Sequence, residues 1–282
     1  MIYHTLEQIN LRSLHDAFLL AFSDYQVPMS LSFTDFERMM RRRGLVSKFS
    51  VGAFDGEKLV GFSLTGLRLQ NGFLTAYDIA TGIAPGFRRQ GISGEVFKRE
   101  MAILKSNHVV QYLLEVLKEN VPAIRLYQRQ GFQIQRGFSC FQIDHRRLTL
   151  RSQYQAEKIA VINWGQAKAF WDFEPSWQNS AASVSATPEE FINVVVRIHG
   201  EIAGYGIIDS QTGNIPQLAV SPQFRRLGIG TSILAELKTS TVAERIRVLN
   251  IEEPNDTVIK FLTVLGFENY VSQFEMILHI ND

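Results

Sequence analysis

The 282-residue sequence has a single cysteine, Cys140, which excludes an intramolecular disulfide framework and any zinc site built on several cysteines. The six histidines are scattered without metal-ligand spacing, so no metal is expected. No apolar run approaches the roughly 18–20 residues of a membrane-spanning helix. Neither charge is in excess: 29 Lys and Arg against 28 Asp and Glu leave a net charge of +1. Nucleic acid and anionic membranes select a basic surplus, so neither is an expected partner. Glu7 and Asp16 stand where a secretion signal would carry an apolar stretch, and the expected location is cytoplasmic. What remains is ordinary globular content, 45% hydrophobic and 11% aromatic, in a chain long enough for one large domain or two average ones.

The sequence repeats itself. Ile83–Gly94 (IAPGFRRQGISG) matches Val220–Thr231 (VSPQFRRLGIGT), with Pro85 and Pro222, Arg88 and Arg225, and Gly91 and Gly228 each 137 residues apart. Downstream, Asn120 and Asn255, and Gly131-Phe132 and Gly266-Phe267, keep a spacing of 135. Upstream, Val60-Gly61-Phe62 matches Ala203-Gly204-Tyr205. A period of this length is a domain rather than a solenoid repeat. Two copies are therefore expected, over residues 1–148 and 149–282.

Within the first copy, Leu14, Ala17, Phe18, Ala21 and Phe22 share one helical face. Ser32 to Arg43 reads as a second helix stopped by Gly44, its Arg41-Arg42-Arg43 end solvated. A hairpin is expected over 49–67, a strand over 74–83, and a helix whose inward residues are Phe97, Met101 and Leu104. A strand over 109–116, an Asn120-capped helix and a strand over 132–143 complete a mixed α/β domain with one central sheet. The second copy repeats this order from about Phe191, without an evident two-helix front.

Arg88-Arg89-Gln90-Gly91-Ile92-Ser93-Gly94 joins a strand to a helix, with small residues at 91, 93 and 94. Accessible amides at the positive end of a helix make an anion site suited to a diphosphate. Neither a Walker loop nor a GxGxxG fingerprint is present. The second copy has Arg225-Arg226-Leu227-Gly228-Ile229-Gly230. The loop, followed by a strand, an Asn-capped helix and Gly-Phe, resembles the GNAT superfamily of acyl-CoA-dependent N-acyltransferases, over nearly all of residues 1–145 and about 190–280. The resemblance implies acetyl-CoA as co-substrate, held by the loop amides and by a bulged strand end. Those positions are Thr81, Gly82, Ile83, Arg88 to Gly94 and Asn120 in the first copy. In the second they are Leu218, Val220, Arg225, Arg226, Gly228, Gly230 and Asn255.

Acyl transfer to an amine needs a proton acceptor for the amine, donors for the oxyanion and an acid for the departing thiolate. Leu114-Glu115-Val116, Asn120 and Leu126-Tyr127 before Gly131-Phe132 are similar to the run in GNAT enzymes that acetylate protein N-termini. That likeness implies Glu115 as base through water and Tyr127 as acid, with Asp78 an alternative base. Core packing is the competing reading of Tyr127, and a structural carboxylate that of Glu115. Asn250 and Leu262 occupy the corresponding second-copy positions and cannot do this chemistry, so catalysis is expected in the first copy; work from the second is the reverse assignment. Tyr25 and Asp24, Asp78, Trp171 and Trp177 are candidates to line the acceptor site, although the tryptophan stretch also reads as core. The expectation is an acetyl-CoA-dependent N-acetyltransferase for a small-molecule primary amine. Acetylation of a protein or peptide N-terminus and acyl-CoA binding without turnover are the alternatives.

Overall fold

Two strong helix caps open the first copy. In the computed structural model, which describes residues 1–24 and 31–280, strand β1 (Ile2–Thr5) leads to α1 (Leu11–Ala21) and α2 (Phe33–Arg43). The Asn10 side chain accepts from Arg12 N at 2.8 Å, and Ser32 Oγ accepts from Asp35 N at 3.1 Å, each satisfying an amide the first turn would leave unpaired. Then come β2 (Val51–Asp55), β3 (Lys58–Gln70), β4 (Phe73–Ile83), α3 (Ile92–Ser106), β5 (Gln111–Leu117), α4 (Val121–Arg129) and β6 (Gln133–Asp144). Strands β1 to β4 pair antiparallel in chain order. The helical crossover through α3 brings β5 in parallel to β4.

The second copy runs β7 (Ala156–Ile159), α5 (Trp164–Ala167), α6 (Ala181–Ala186), β8 (Phe191–Ile198), β9 (Glu201–Asp209), β10 (Asn214–Ile215), β11 (Gln217–Val220), α7 (Ile229–Thr239), β12 (Arg245–Glu253), α8 (Asp256–Val264) and β13 (Glu268–His279). Two short helices and the turns between them stand where the first copy has α1 and α2. Strands β7, β8, β9 and β11 are adjacent in that order, and β12 lies between β6 and β10. Val194, Val196, Ile208, Ile233, Leu237 and Ile246 form its core. The chain is thus a mixed α/β protein of two related copies. Among the described residues its compact units are not contiguous: one comprises residues 1–24, 31–115, 122–135 and 275–280, the other 116–121 and 136–274. No helix among the described residues is long and apolar enough to cross a membrane.

Two expectations need correction. The buried stripe of α3 is Ile92, Val96, Glu100 and Leu104, at helical i, i+4 spacing, while Phe97 and Met101 are half-buried beside it. Arg43 is not part of a solvated helix end; its guanidinium donates to Ile79 O at 3.1 Å.

Candidate active site

Strand β4 holds two partners until it reaches the site and then only one. It pairs with β5 at Thr75, Ala76 and Tyr77, and the pairing stops there. With β3 it continues to Ile83, across a register shift that leaves Ile79 as an extra residue between Asp78 and Ala80. A bulge turns the strand and re-aims its side chains. It lies two residues ahead of the Thr81–Ile83 stretch in which the sequence placed it. From Asp78 onward β4 and β5 part, and the β4 edge facing the gap has backbone groups that β5 no longer covers.

Beyond β4 the loop delivers its amides. Arg89 and Gly91 both have positive φ, 62° and 79°. Gly91 is the N-cap of α3, a left-handed position where an L side chain is strained. A Cβ at Gly91 or Gly94 would meet nothing within 4 Å, so the helix start is open. Arg88 does not face that opening. It forms a two-pronged pair with Asp24, 2.6 and 2.7 Å, and donates to the carbonyls of Ala21 and Ile83. These bonds tie the loop to the end of α1, and the pair holds the Asp24 carboxyl below its ordinary range. Tyr25 lies outside the described residues.

Behind the loop is a cavity of about 20 Å³, room for about one water. Ser63, Asp78, Thr81, Ser93, Glu100 and Tyr127 are among its lining residues. Tyr127, on α4, donates to Asp78 Oδ2 at 3.2 Å, and Thr81 Oγ1 lies 3.0 Å from the same oxygen. Burial pushes Asp78 up to about 6, against the hydroxyls of Thr81 and Tyr127 and the charge of Arg43. Glu100, 1% exposed, sits among the hydroxyls of Ser63, Thr65 and Tyr112, and burial pushes it up to about 8. Sequence reasoning missed Glu100; a carboxylate within an apolar helical stripe was the available signal. Glu115 does not line this cavity. It is half-buried on β5, near enough for its charge to raise the Tyr77 phenol after burial has done most of that work. Asn120 opens α4 and is likewise half-buried.

The second copy repeats the scaffold and fills the openings. Arg225 pairs with Asp172 at 2.7 Å and donates to Val220 O and Phe170 O, as Arg88 does in the first copy. Arg226 and Gly228 repeat the positive φ values, 62° and 86°. Here, though, Gln153 Oε1 lies 2.9 Å from where a Gly228 Cβ would be, and the amides of Gln153 and Tyr154 donate to Ser232 Oγ. A Gly230 Cβ would meet the Phe261 ring at 3.4 Å. Asn255 is engaged in capping α8, accepting from Val258 N. Strands β10 and β11 are separated at Pro216, so β12 pairs with β10 and Leu218 and Val220 pair only with β9. The segment Ser176–Asn179 fills the space this leaves. Asn179 donates to Leu249 O at 2.9 Å and its carbonyl accepts from Gln217 at 2.7 Å. Asn250 donates to Ser176 Oγ at 2.9 Å, and Ser176, Trp177 and Asn179 are at most 2% exposed. Trp171 donates to the Tyr205 hydroxyl at 2.6 Å. Leu262, at the position of Tyr127, is core.

The sequence pattern of the Acetyltransferase (GNAT) family matches residues 11–132 and, a second time, 156–267. The chain belongs to that family. No curated protein matches the sequence significantly. Among solved structures, a tandem GNAT protein from the clavulanic acid biosynthesis pathway is similar over 100% of this chain and 99% of its own, with a TM-score of 0.74 and 14% identity. A GCN5-related N-acetyltransferase from Sphaerobacter thermophilus is similar over 100% of this chain and 96% of its own, at a TM-score of 0.70 and 13% identity. These likenesses describe a fold, that of two GNAT domains in tandem. GNAT membership supports acyl-CoA-dependent transfer to an amine acceptor; the acceptor and the acyl chain are set by details of each site.

Proposed function

We propose that the chain is an acetyl-CoA-dependent N-acetyltransferase for a small-molecule primary amine, and that the first copy does the chemistry. One contrast carries this reading: the loop at Gly91 is open and leads to a cavity with an acid, whereas its counterpart at Gly228 is covered by Gln153. The amides of Gln90 to Ser93, at the start of α3, would hold the pyrophosphate. The edge of β4 that β5 leaves from Asp78 to Ile83, with its Ile79 and Ile83 carbonyls already taken by Arg43 and Arg88, would meet the pantetheine amides. Acyl-CoA supplies the thioester that the amine attacks.

Glu115 takes the amine proton, directly or through a water. Tyr127 gives its proton to the departing sulfur, and Asp78 holds the Tyr127 hydroxyl in place. The second copy lacks both proton carriers and has its gap filled, so it acts as scaffold.

Thiol release from acetyl-CoA with a panel of primary amines tests the activity. Tyr127→Phe should lower kcat by about 10²-fold, the lower end of the range for general acids, with KM for acetyl-CoA nearly unchanged. Unchanged turnover would remove Tyr127 from the mechanism.

A further inference from the structure

We propose that Glu100 is a buried proton store for the first copy, a relay residue that reprotonates Tyr127 through Ser63, Thr81 and Asp78. The inference rests on the acyl-transfer reading above and extends it to a residue outside the loop and the strand edge.

The geometry is a continuous chain of oxygens. Tyr127 Oη is 3.2 Å from Asp78 Oδ2, which is 3.0 Å from Thr81 Oγ1. Thr81 Oγ1 is 3.2 Å from Ser63 Oγ, which is 2.9 and 3.0 Å from the two Glu100 oxygens. Tyr112 and Thr65 also donate to Glu100 Oε1. Each hydroxyl has one proton to give.

Counting protons shows that one of the two carboxyls carries a proton. Suppose both carboxyls are ionised. Ser63 then spends its proton on Glu100, Thr81 spends its own on Asp78, and the Thr81–Ser63 contact is oxygen to oxygen with nothing between. Suppose instead that Glu100 carries a proton. Glu100 donates to Ser63, Ser63 to Thr81, Thr81 to Asp78, and Tyr127 to Asp78 as well. Each link of the chain from Glu100 to Tyr127 then holds one proton, with the donors pointing from Glu100 toward Asp78; a proton on Asp78 instead would fill the same links with the donors reversed. Burial favours Glu100 as its holder, because it raises the Glu100 carboxyl further than that of Asp78.

The transfer balances. When Tyr127 has protonated the sulfur it is a phenolate beside Asp78. The Glu100 O–H bond breaks toward Ser63, Ser63 passes its proton to Thr81 and Thr81 passes its own to Asp78. Asp78 Oδ2–H then donates to Tyr127, which is whole again. Glu100 is left ionised among the hydroxyls of Ser63, Thr65 and Tyr112. After product leaves, a solvent proton returns along the same chain and matches the one the amine released. The charged and titratable groups around this path are Arg43 from α2, Asp78 from β4, Tyr112 from β5 and Tyr127 from α4.

Glu100→Gln in the full chain is the test, with Ser63→Ala as the second variant. Glutamine reproduces the hydrogen bonds of the protonated acid, accepting from Thr65 and Tyr112 and donating to Ser63, yet cannot release a proton. Both variants should lose about tenfold in kcat with KM for acetyl-CoA unchanged. That is less than loss of the acid itself, because solvent can still reach Tyr127 slowly. The wild type should show an alkaline fall in kcat centred near pH 8, absent from Glu100→Gln. Wild-type kcat and an unchanged alkaline limb in both variants would overturn the relay. An infrared band of a protonated carboxylic acid at pH 7, lost in Glu100→Gln, reads the stored proton without turnover. Turnover without that band overturns the store alone. A wild type with the band that transfers no acyl group fails the acyl-transfer reading, and the relay with it.

Discussion

Gly91→Glu should abolish acetyl-CoA binding while leaving the fold intact. The position has φ of 79° and serves as the N-cap of α3, so any L side chain costs about 1–2 kcal/mol in strain. No collision adds to that, since a Cβ there meets nothing within 4 Å. A carboxylate at a helix start regains about 0.3–1 kcal/mol from the helix dipole. Net destabilisation is then about 1 kcal/mol, small beside the stability of an ordinary domain. Binding suffers far more. A pyrophosphate held by two or three loop amides gains about 1.5–3 kcal/mol from each charge-assisted bond, and the new carboxylate occupies that space with the same sign of charge. A loss of at least about 3 kcal/mol, or more than about 10²-fold in Kd, follows. Calorimetric titration of acetyl-CoA into the wild type, Gly91→Glu and Gly228→Glu reads it. One site in the wild type, lost in Gly91→Glu and kept in Gly228→Glu, is expected. Binding that survives Gly91→Glu and vanishes in Gly228→Glu would refute the assignment, and two wild-type sites would refute the idea that the second copy is filled.

Other outcomes follow from the same contacts. Asn179→Ala leaves the buried carbonyl of Leu249 without its amide donor and should cost about 1–3 kcal/mol in denaturant unfolding; an unchanged midpoint would mean that Ser176–Asn179 is not a structural plug. Stability should also decline with alkalinity. Asp78 and Glu100 titrate higher folded than unfolded, so the native state holds more protons between their two values. The stabilisation from Glu100 is complete below about 4.5 and lost as pH rises to about 8, at up to about 1.4 kcal/mol per pH unit. Glu100→Gln should flatten that slope in urea midpoints measured from pH 5 to 9, and an identical slope would show that Glu100 is not the titrating group.

The first copy's elements were legible because their signals are local. Ser32 and Gly44 bound α2, and a helix stopping before Gly131 follows Asn120 as the sequence suggests. The repeated Phe-Arg-Arg-x-Gly block located both helix starts. What escaped depends on contacts across distance. The register shift at Ile79 is set by β3, not by its own neighbours. Glu100 interrupts an apolar stripe and was passed over because its partners lie 12 to 37 residues away. Gln153 covers Gly228 from 75 residues upstream, and Asn179 reaches Leu249 across 70. The Arg88–Asp24 pair was hidden too, although its twin at Arg225 and Asp172 shows that the repeat extends into a region where the sequences no longer align.

The end of β13 has a bearing on how such a chain can evolve. Residues 275–280 group with the first unit, where Glu275 and Met276 are buried and Ile280 N donates to Val110 O at 2.9 Å. A gene fragment ending at the repeat boundary would therefore encode an incomplete domain. The duplication visible in the sequence is no longer a unit that recombination can detach cleanly: the first unit includes residues of β13, which lies beyond the core of the second copy. Under that arrangement, removal of the second copy also removes part of the first unit.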